Sequence, residues 1–513
     1  MKLLSKIKIL LAASVAFSSC SSDYLDTSPT QSTGPDVAFE NVENAKAAVN
    51  GLSRIMKRQY LGSQGFNGEG TIKMYYGNYM GNHFSAPLPT WSSVINLEFI
   101  PTPTSTYTYY PWYYYYTLIS NANAIIGNID AATGGEEEKA FIKAQALTFR
   151  AYSYMMLVQL YGDRWKDSNE GTTNAVVLRV EDSIDDLPLS SLADAYALIY
   201  DDLNQAIELY NSTRLDRNSN NNYEVNLDVA YATYARAALN KEDYVNAEKY
   251  AQLARKNYPL MSNGEYTSGF STPNKEWIWS IFDSEQETIY FYSYQAYIGY
   301  NSTASAVRTA PKMISKELYD QIPSTDIRKK LFLDPEEAGT KFNAQTGQGD
   351  ADGLAYIRGL YSDIPSNATA YSYMQFKIKA EGMPGIGQTN NFRSAEMLLI
   401  EAEAKLKQNK SATEVQDLLI ELNKTSGRDA NYTCSLTGDD LFNEIKKYRA
   451  IELWGEGFDW FDLKRWGDKI ERKSYEDGGN FRANLALTIE PSDQNKWKLV
   501  TPSRERDYND LID

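Results

Sequence analysis

Apolar residues return at every third or fourth position through most of the chain. Leu118, Ala122, Ile125, Ile126 and Ile129 fall on one helical face. Ala140, Ala144, Leu147, Ala151, Met155 and Val158 repeat in the same way, and Gly162 ends that run. Ala195, Ile199, Leu203, Ala206 and Leu209 give a third stripe, and residues 44–58 predict a first, shorter helix. Residues 228–257 predict two amphipathic helices around a turn at 240–243. Small Ala230, Ala235, Ala238, Ala247, Ala251 and Ala254 let them approach closely, and Tyr244 opens the second helix. Residues 395–423 repeat the arrangement, with a turn at 409–411.

Such helix-turn-helix units resemble tetratricopeptide repeats, which leave an apolar face needing neighbours. About four stacked pairs are expected. Two stretches break the rhythm. Residues 61–111, rich in Gly, Pro, Tyr and Asn, show no sustained period, and residues 276–394 alternate short strand patterns with Gly and Pro. Within the second, EWIWSIF predicts a strand, followed by Tyr290, Tyr292, Tyr294, Tyr297 and Tyr300. Alternation puts Tyr290, Tyr292 and Tyr294 on one side.

The N-terminus is an address. Lys2, Lys6 and Lys8 precede a short apolar run, and Ser18 and Ser19 precede Cys20. This predicts a lipoprotein signal at 1–19, a lipidated Cys20 and a Ser/Thr/Pro-rich tether over 20–39. The folded domain then covers 40–513. Its helical pairs lie mainly in 112–275 and 395–470, and its irregular segments in 61–111 and 276–394. Cys434 is left without a partner and reads as a partly buried free thiol.

The net charge of -16 disfavours a protein that tracks nucleic-acid phosphates. A single histidine, His83, excludes most His-based triads and multi-His metal sites. Glu452, Glu456, Asp459 and Asp462 have the residue types of a glycosidase pair. Trp454, Trp460, Phe461 and Trp466 interleave them, so the acids read as caps and buried ion pairs, with Arg449 and Arg465 as partners. The glycine runs at 62–70 and 382–387 match no phosphate-binding loop, and GDADG at 349–353 reads as a turn. No metal or cofactor is implied. The chain holds 39 tyrosines, flat rings with a polar handle that suit both cores and sugar binding. Residues 107–116, YTYYPWYYYY, run straight into a helix and read as core or subunit contact. Trp91 in a Pro-flanked polar loop, with Asn96 nearby to offer an amide, is the better ligand candidate, together with Tyr290, Tyr292, Tyr294, Tyr297 and Tyr300.

Five stretches, in order, carry a resemblance. They are SSDYLDTSP after Cys20, FRAYSYMMLVQLYGD at 149–163, LPLSSLADAYALIYDDLNQAI at 187–207, FRSAEMLLIEAEA at 392–404 and YRAIELWGEGFDWFDLKRWG at 448–467. Together they resemble the SusD/RagB family of outer-membrane nutrient-binding lipoproteins. Arg164 and Trp165 stand where proline is usual, Tyr448 where glutamate is common and Asp459 where arginine is common. The resemblance implies a mostly α, SusD-like fold, with the helix pairs packed against an irregular lobe with short strands. It also implies a non-enzymatic glycan-binding lipoprotein on the outer face of the outer membrane, delivering oligosaccharides to a SusC-type TonB-dependent transporter. By the same resemblance, ligands are expected on the face opposite the helix pairs, through aromatics of the two irregular regions. A peptide ligand, a helical glycoside hydrolase and an adaptor that binds only protein are the alternatives.

Overall fold

Local sequence starts each helix before packing fixes it. In the computed structural model, which describes residues 35–61, 65–87, 91–285 and 292–512, α1 spans Val42–Ile55. Its N-cap Asn41 accepts the Asn44 amide at 2.9 Å, and its buried face is Ala45, Val49 and Leu52. Then come α2 (Thr106–Asn128), α3 (Glu136–Tyr161), α4 (Leu192–Ser212), α5 (Leu227–Asn240) and α6 (Tyr244–Arg255). After the irregular lobe follow α7 (Ser394–Lys407), α8 (Ala412–Ile420), α9 (Gly438–Glu452) and α10 (Asp459–Trp466). Each helix from α2 to α8 packs on the next, and α9 returns against α7 and α8. These eight helices make a continuous stack, enough for the four pairs expected. The turn of each of the two sequence-read pairs has a left-handed residue, Glu242 (φ 58°) and Asn409 (φ 56°), just past the helix end.

The lobe between α6 and α7 has little regular structure. Its main strand pair, β1 (Trp277–Ile281) and β2 (Thr389–Arg393), is antiparallel, with Trp277 opposite Arg393 and a bulge at Trp279. A small second core gathers Tyr300, Leu333, Phe342, Ile357, Met374 and Phe376. The signal peptide, Cys20 and Tyr290 lie outside the described residues, as does the tether up to residue 34.

The irregular reading of 61–111 needs correction. Residues 68–79 are helical, the last eight in a wide π-helical coil, and all eight are buried. A helix buried all round has no polar face, so its sequence shows no period. Likewise α2 starts at Thr106, ahead of Pro111. Proline removes an amide from the helical ladder and would orphan the Tyr107 carbonyl. Tyr76 Oη donates to that carbonyl at 2.5 Å. One residue on, Tyr161 Oη accepts from the Trp112 amide at 3.0 Å and donates to the Thr108 carbonyl at 2.5 Å. Tyrosine hydroxyls thus fill the gap that proline opens.

The same chemistry uses up much of the tyrosine-rich stretch. Glu69 is buried, and its carboxylate accepts from Tyr152 at 2.8 Å and from Tyr114 and Tyr115 at 3.2 Å. Burial pushes this carboxyl above its ordinary value, although Lys73 and the hydroxyls oppose the shift. The reading of 107–116 as core therefore holds for Tyr110, Trp112, Tyr114 and Tyr115.

The sequence motifs meet as ion pairs. Arg150 of α3 forks onto Asp202 of α4 at 2.6 and 2.8 Å. Arg236 of α5 forks onto Glu396 of α7 at 2.7 and 2.8 Å. Arg393 reaches Glu276 and Glu452 at 2.7 Å and Glu456 at 2.8 Å, and Arg328 reaches Glu452 at 2.8 Å. Arg449 and Arg465 both hold Asp462, at 2.7 and 2.8 Å. Glu452, Glu456 and Asp462 are thus held in buried ion pairs, as their interleaved aromatics suggested. Gly457 (φ 90°) lets this turn cross the buried coil at Gly77, where a Cβ would lie 2.1 Å from the Gly457 carbonyl oxygen.

Candidate functional site

Trp91 stands at the start of a short helix, Ser92–Ile95, and is half-buried. Its indole lies over Tyr79, with ring centres 5.7 Å apart and planes 21° apart. Tyr297 meets it edge-on at 5.5 Å, and Tyr75 lies at 6.5 Å. The Tyr75 and Tyr297 hydroxyls are 3.2 Å apart. Tyr292 packs against Tyr297 at 6.2 Å and is itself half-buried. Phe66 and Tyr107 close the far side, 5.6 Å apart. The two irregular segments, remote in sequence, therefore meet through Trp91 and Tyr297. The result is a bed of buried rings topped by the partly exposed Trp91, Tyr107 and Tyr292.

A cation sits beside this bed. Lys312 Nζ lies 5.4 Å from the Trp91 ring centre and 5.8 Å from that of Tyr79. It is buried and donates to the carbonyls of Ala306 and Ala310 at 2.8 and 2.7 Å. Burial lowers its ammonium to about 7.

Other sequence candidates are engaged elsewhere. Tyr294 is buried, and its hydroxyl donates to the Gly455 carbonyl. Alternation fails here because Tyr294–Ile298 is a helix capped by Ser293, not a strand. Tyr300 packs on Tyr361 and Phe376 in the second core, and its hydroxyl faces Asp363 at 3.4 Å. Asn96 Nδ2 donates to the Asn484 carbonyl at 3.0 Å. Sequence reasoning missed Tyr75, Tyr79 and Lys312, and read Tyr107 with the rest of 107–116 as core or subunit contact. Tyr75 and Tyr79 belong to the coil without a visible period, and nothing in the sequence places Lys312 next to Trp91.

A cleft of about 530 Å³ around His83 and Trp454 is lined by other residues. There His83 Nε2 lies 3.9 Å from Asp459, and Nδ1 lies 3.4 Å from Ser315 Oγ. This has the residue types of a nucleophile triad. However, Ser315 is fully buried and its hydroxyl accepts the Leu318 amide at 3.3 Å as a helix cap, so no substrate reaches it. Burial raises the Asp459 carboxyl above its usual range, with His83 opposing.

Two family models match the chain. One, described as the SusD family, matches residues 241–508. The other, described as starch-binding associating with outer membrane, matches residues 23–239. No curated protein matches. Among solved structures, a SusD-like carbohydrate binding protein from Bacteroides vulgatus is 20% identical with a TM-score of 0.75, over 92% of this chain and 98% of that one. A SusD superfamily protein from Bacteroides thetaiotaomicron is 21% identical with a TM-score of 0.73, over 92% and 99%. A laminarin binding SusD-like protein is 17% identical with a TM-score of 0.63, over 93% and 99%. At these identities the likeness is one of fold.

Proposed function

The chain belongs to the SusD family, and from that premise we propose that it is a glycan-binding lipoprotein of the outer cell surface. Its diacyl or triacyl Cys20 anchors it, and it captures oligosaccharides for a SusC-type TonB-dependent transporter. The observation that carries the ligand reading is the meeting of Trp91 with Tyr297 at 5.5 Å. A flat, half-exposed indole on a bed of rings suits the C–H face of a sugar, and the fixed bed spares the entropy of ordering the ring. Trp91 and Tyr292 are the contact residues of this proposal, and Tyr75, Tyr79 and Tyr297 hold them in place. Tyr290, two residues before Tyr292 in sequence, stays a candidate, whereas Asn96, Tyr294 and Tyr300 are assigned to packing.

The description of the N-terminal family model supports a carbohydrate ligand and an outer-membrane setting. The laminarin-binding relative supports a glucan among the ligands. Calorimetry with oligosaccharides of β-1,3-glucan, starch, fructan and mannan tests the reading. By analogy with base stacking at about 1–3 kcal/mol per ring, Trp91→Ala is expected to weaken binding by roughly tenfold or more. Binding of none of these glycans by the wild type, or equal affinity in the variant, would overturn it.

A further inference from the structure

The core does not consume the whole tyrosine-rich stretch. On α2, Tyr109, Tyr113, Thr117 and Asn121 follow one another at i, i+4 spacing and so share a face. That face walls a groove of about 910 Å³, which shares no lining residue with the bed at Trp91. The opposite wall comes from the loop that starts at Arg179 and from residues 504–508 near the C-terminus. Two rings are open to solvent here, Tyr113 at 37% exposure and Tyr508 at 86%. Tyr109 is half-buried, with the Arg504 guanidinium 4.6 Å from its ring centre.

The walls are braced against each other. Trp112 Nε1 on α2 donates to Glu505 at 3.1 Å, and Glu505 also faces Arg179 at 3.5 Å. Asn123 Nδ2 donates to the Arg179 and Glu181 carbonyls at 3.0 and 3.2 Å, tying the loop to α2. The groove is therefore formed before any ligand arrives. Its volume falls in the range of about 300–1,000 Å³ usual for small-molecule sites. Ser120 and Asn121 offer exposed hydroxyl and amide groups along it. Arg179 and Arg504 face Glu181, Asp182, Glu505 and Asp507, so carboxylates outnumber cations. That balance repels uronates and sulfated sugars and leaves a neutral chain as the fitting ligand.

We propose that this groove is a second saccharide site, which takes a neutral glycan through Tyr113 and Tyr508 and through the polar face of α2. The proposal rests on the glycan reading of the function. It gives the protein two contacts with one polysaccharide, so the sites reinforce each other on long chains and act singly on short ones.

Retardation of the full-length mature protein in native gels containing laminarin, starch, levan or mannan tests it, with Trp91→Ala and Tyr113→Ala/Tyr508→Ala compared with wild type. Each variant is expected to weaken retardation by about tenfold, and their combination to abolish it. Equal retardation of wild type and the groove variant in every glycan overturns the second site alone. So does complete loss on Trp91→Ala. Retardation that survives Trp91→Ala but disappears in the groove variant upholds the groove and overturns the Trp91 site. A wild type retarded by no glycan overturns both. Ser120→Arg blocks the groove from an exposed position without removing a packed ring, and replaces the double variant if that variant's melting temperature falls.

Discussion

Arg393→Met asks whether the buried charges of the sequence motifs hold the two halves of the molecule together. Arg393 is 1% exposed and donates to Glu276, Glu452 and Glu456, as well as to the Glu452 carbonyl at 2.9 Å. Its loss leaves Arg328 on Glu452 and Lys377 on Glu456 at 2.7 Å. Glu276 keeps only amide donors, Met261 at 2.7 Å and Ala395 at 3.2 Å. Removing one partner of a buried ion pair costs about 3–5 kcal/mol, because the orphaned charge stays out of water. Methionine fills the volume without replacing the charge, so that loss is the expected one. Arg393→Lys keeps the charge but not the fork and should fall between the two. Denaturant unfolding followed by tryptophan fluorescence reads the difference, since Trp277 and Trp279 sit on the strand opposite Arg393. The pH dependence is a second check. Burial opposes ionisation of Glu452 and Glu456, yet the neighbouring cations, Arg393 foremost, hold both carboxyls below their usual value. Such groups stabilise the fold above their unfolded value of 4.5 and lose that contribution as pH falls through the folded value. In the variant Glu452 and Glu456 lose the foremost of the cations that hold them low and take up protons more readily, so the gap from wild type should narrow as pH falls toward their unfolded value of 4.5. A loss below about 1 kcal/mol, or a gap that does not change with pH, would refute the reasoning.

Tyr76→Phe removes the hydroxyl that satisfies the Tyr107 carbonyl beside Pro111. It should cost about 1–3 kcal/mol by denaturant unfolding, as for an orphaned buried acceptor, and a change within error would show that another donor takes its place. Burial lowers Lys312 and Lys464 from 10.5 to about 7 and Lys73 to about 8. Between the folded and unfolded values the unfolded chain holds more protons, so stability should rise from about pH 7 toward about pH 8.5, below the range where the buried tyrosines begin to titrate in the unfolded chain, and a flat or falling series of thermal midpoints over that span would contradict it. Cys20→Ala should release the protein from membranes or block its processing, and unchanged membrane fractionation would remove the lipid anchor. A native-membrane pull-down should recover an outer-membrane barrel, and failure to do so would count against delivery to a transporter.

What could be read from the sequence follows from where each element faces. Helices with one wet side announced themselves, as α5 and α6 did through their alanine stripes and Asp243, whose side chain accepts the Asn246 amide at 3.2 Å. The coil at 72–79 did not, because every residue is buried and polar ones such as Asn78 find distant partners, here the Gly455 carbonyl, which accepts Asn78 at 2.9 Å. The motifs were visible as words, but their pairing was not. FRAYSY and the IYDDL run join through Arg150 and Asp202, and FRSAE joins WGEGF through Arg393 and Glu456. A buried arginine needs its carboxylate at a fixed place across the fold, so the words occur together. The ring bed obeys a different rule. Trp91 needs a flat partner beneath it and a second at its edge, and Tyr79 and Tyr297 supply these from segments that sequence spacing does not relate. Aromatic spacing along one segment does not separate Tyr294 and Tyr300, which pack elsewhere, from Tyr297. The helix at Tyr294–Ile298 turns Tyr297, one turn later, toward Trp91, while Tyr294 turns to the Gly455 carbonyl. In a lobe without long strands, the hydroxyl of Ser293, which caps the short helix by accepting the Ala296 amide at 3.1 Å, sets which tyrosine meets Trp91, and composition does not reveal it.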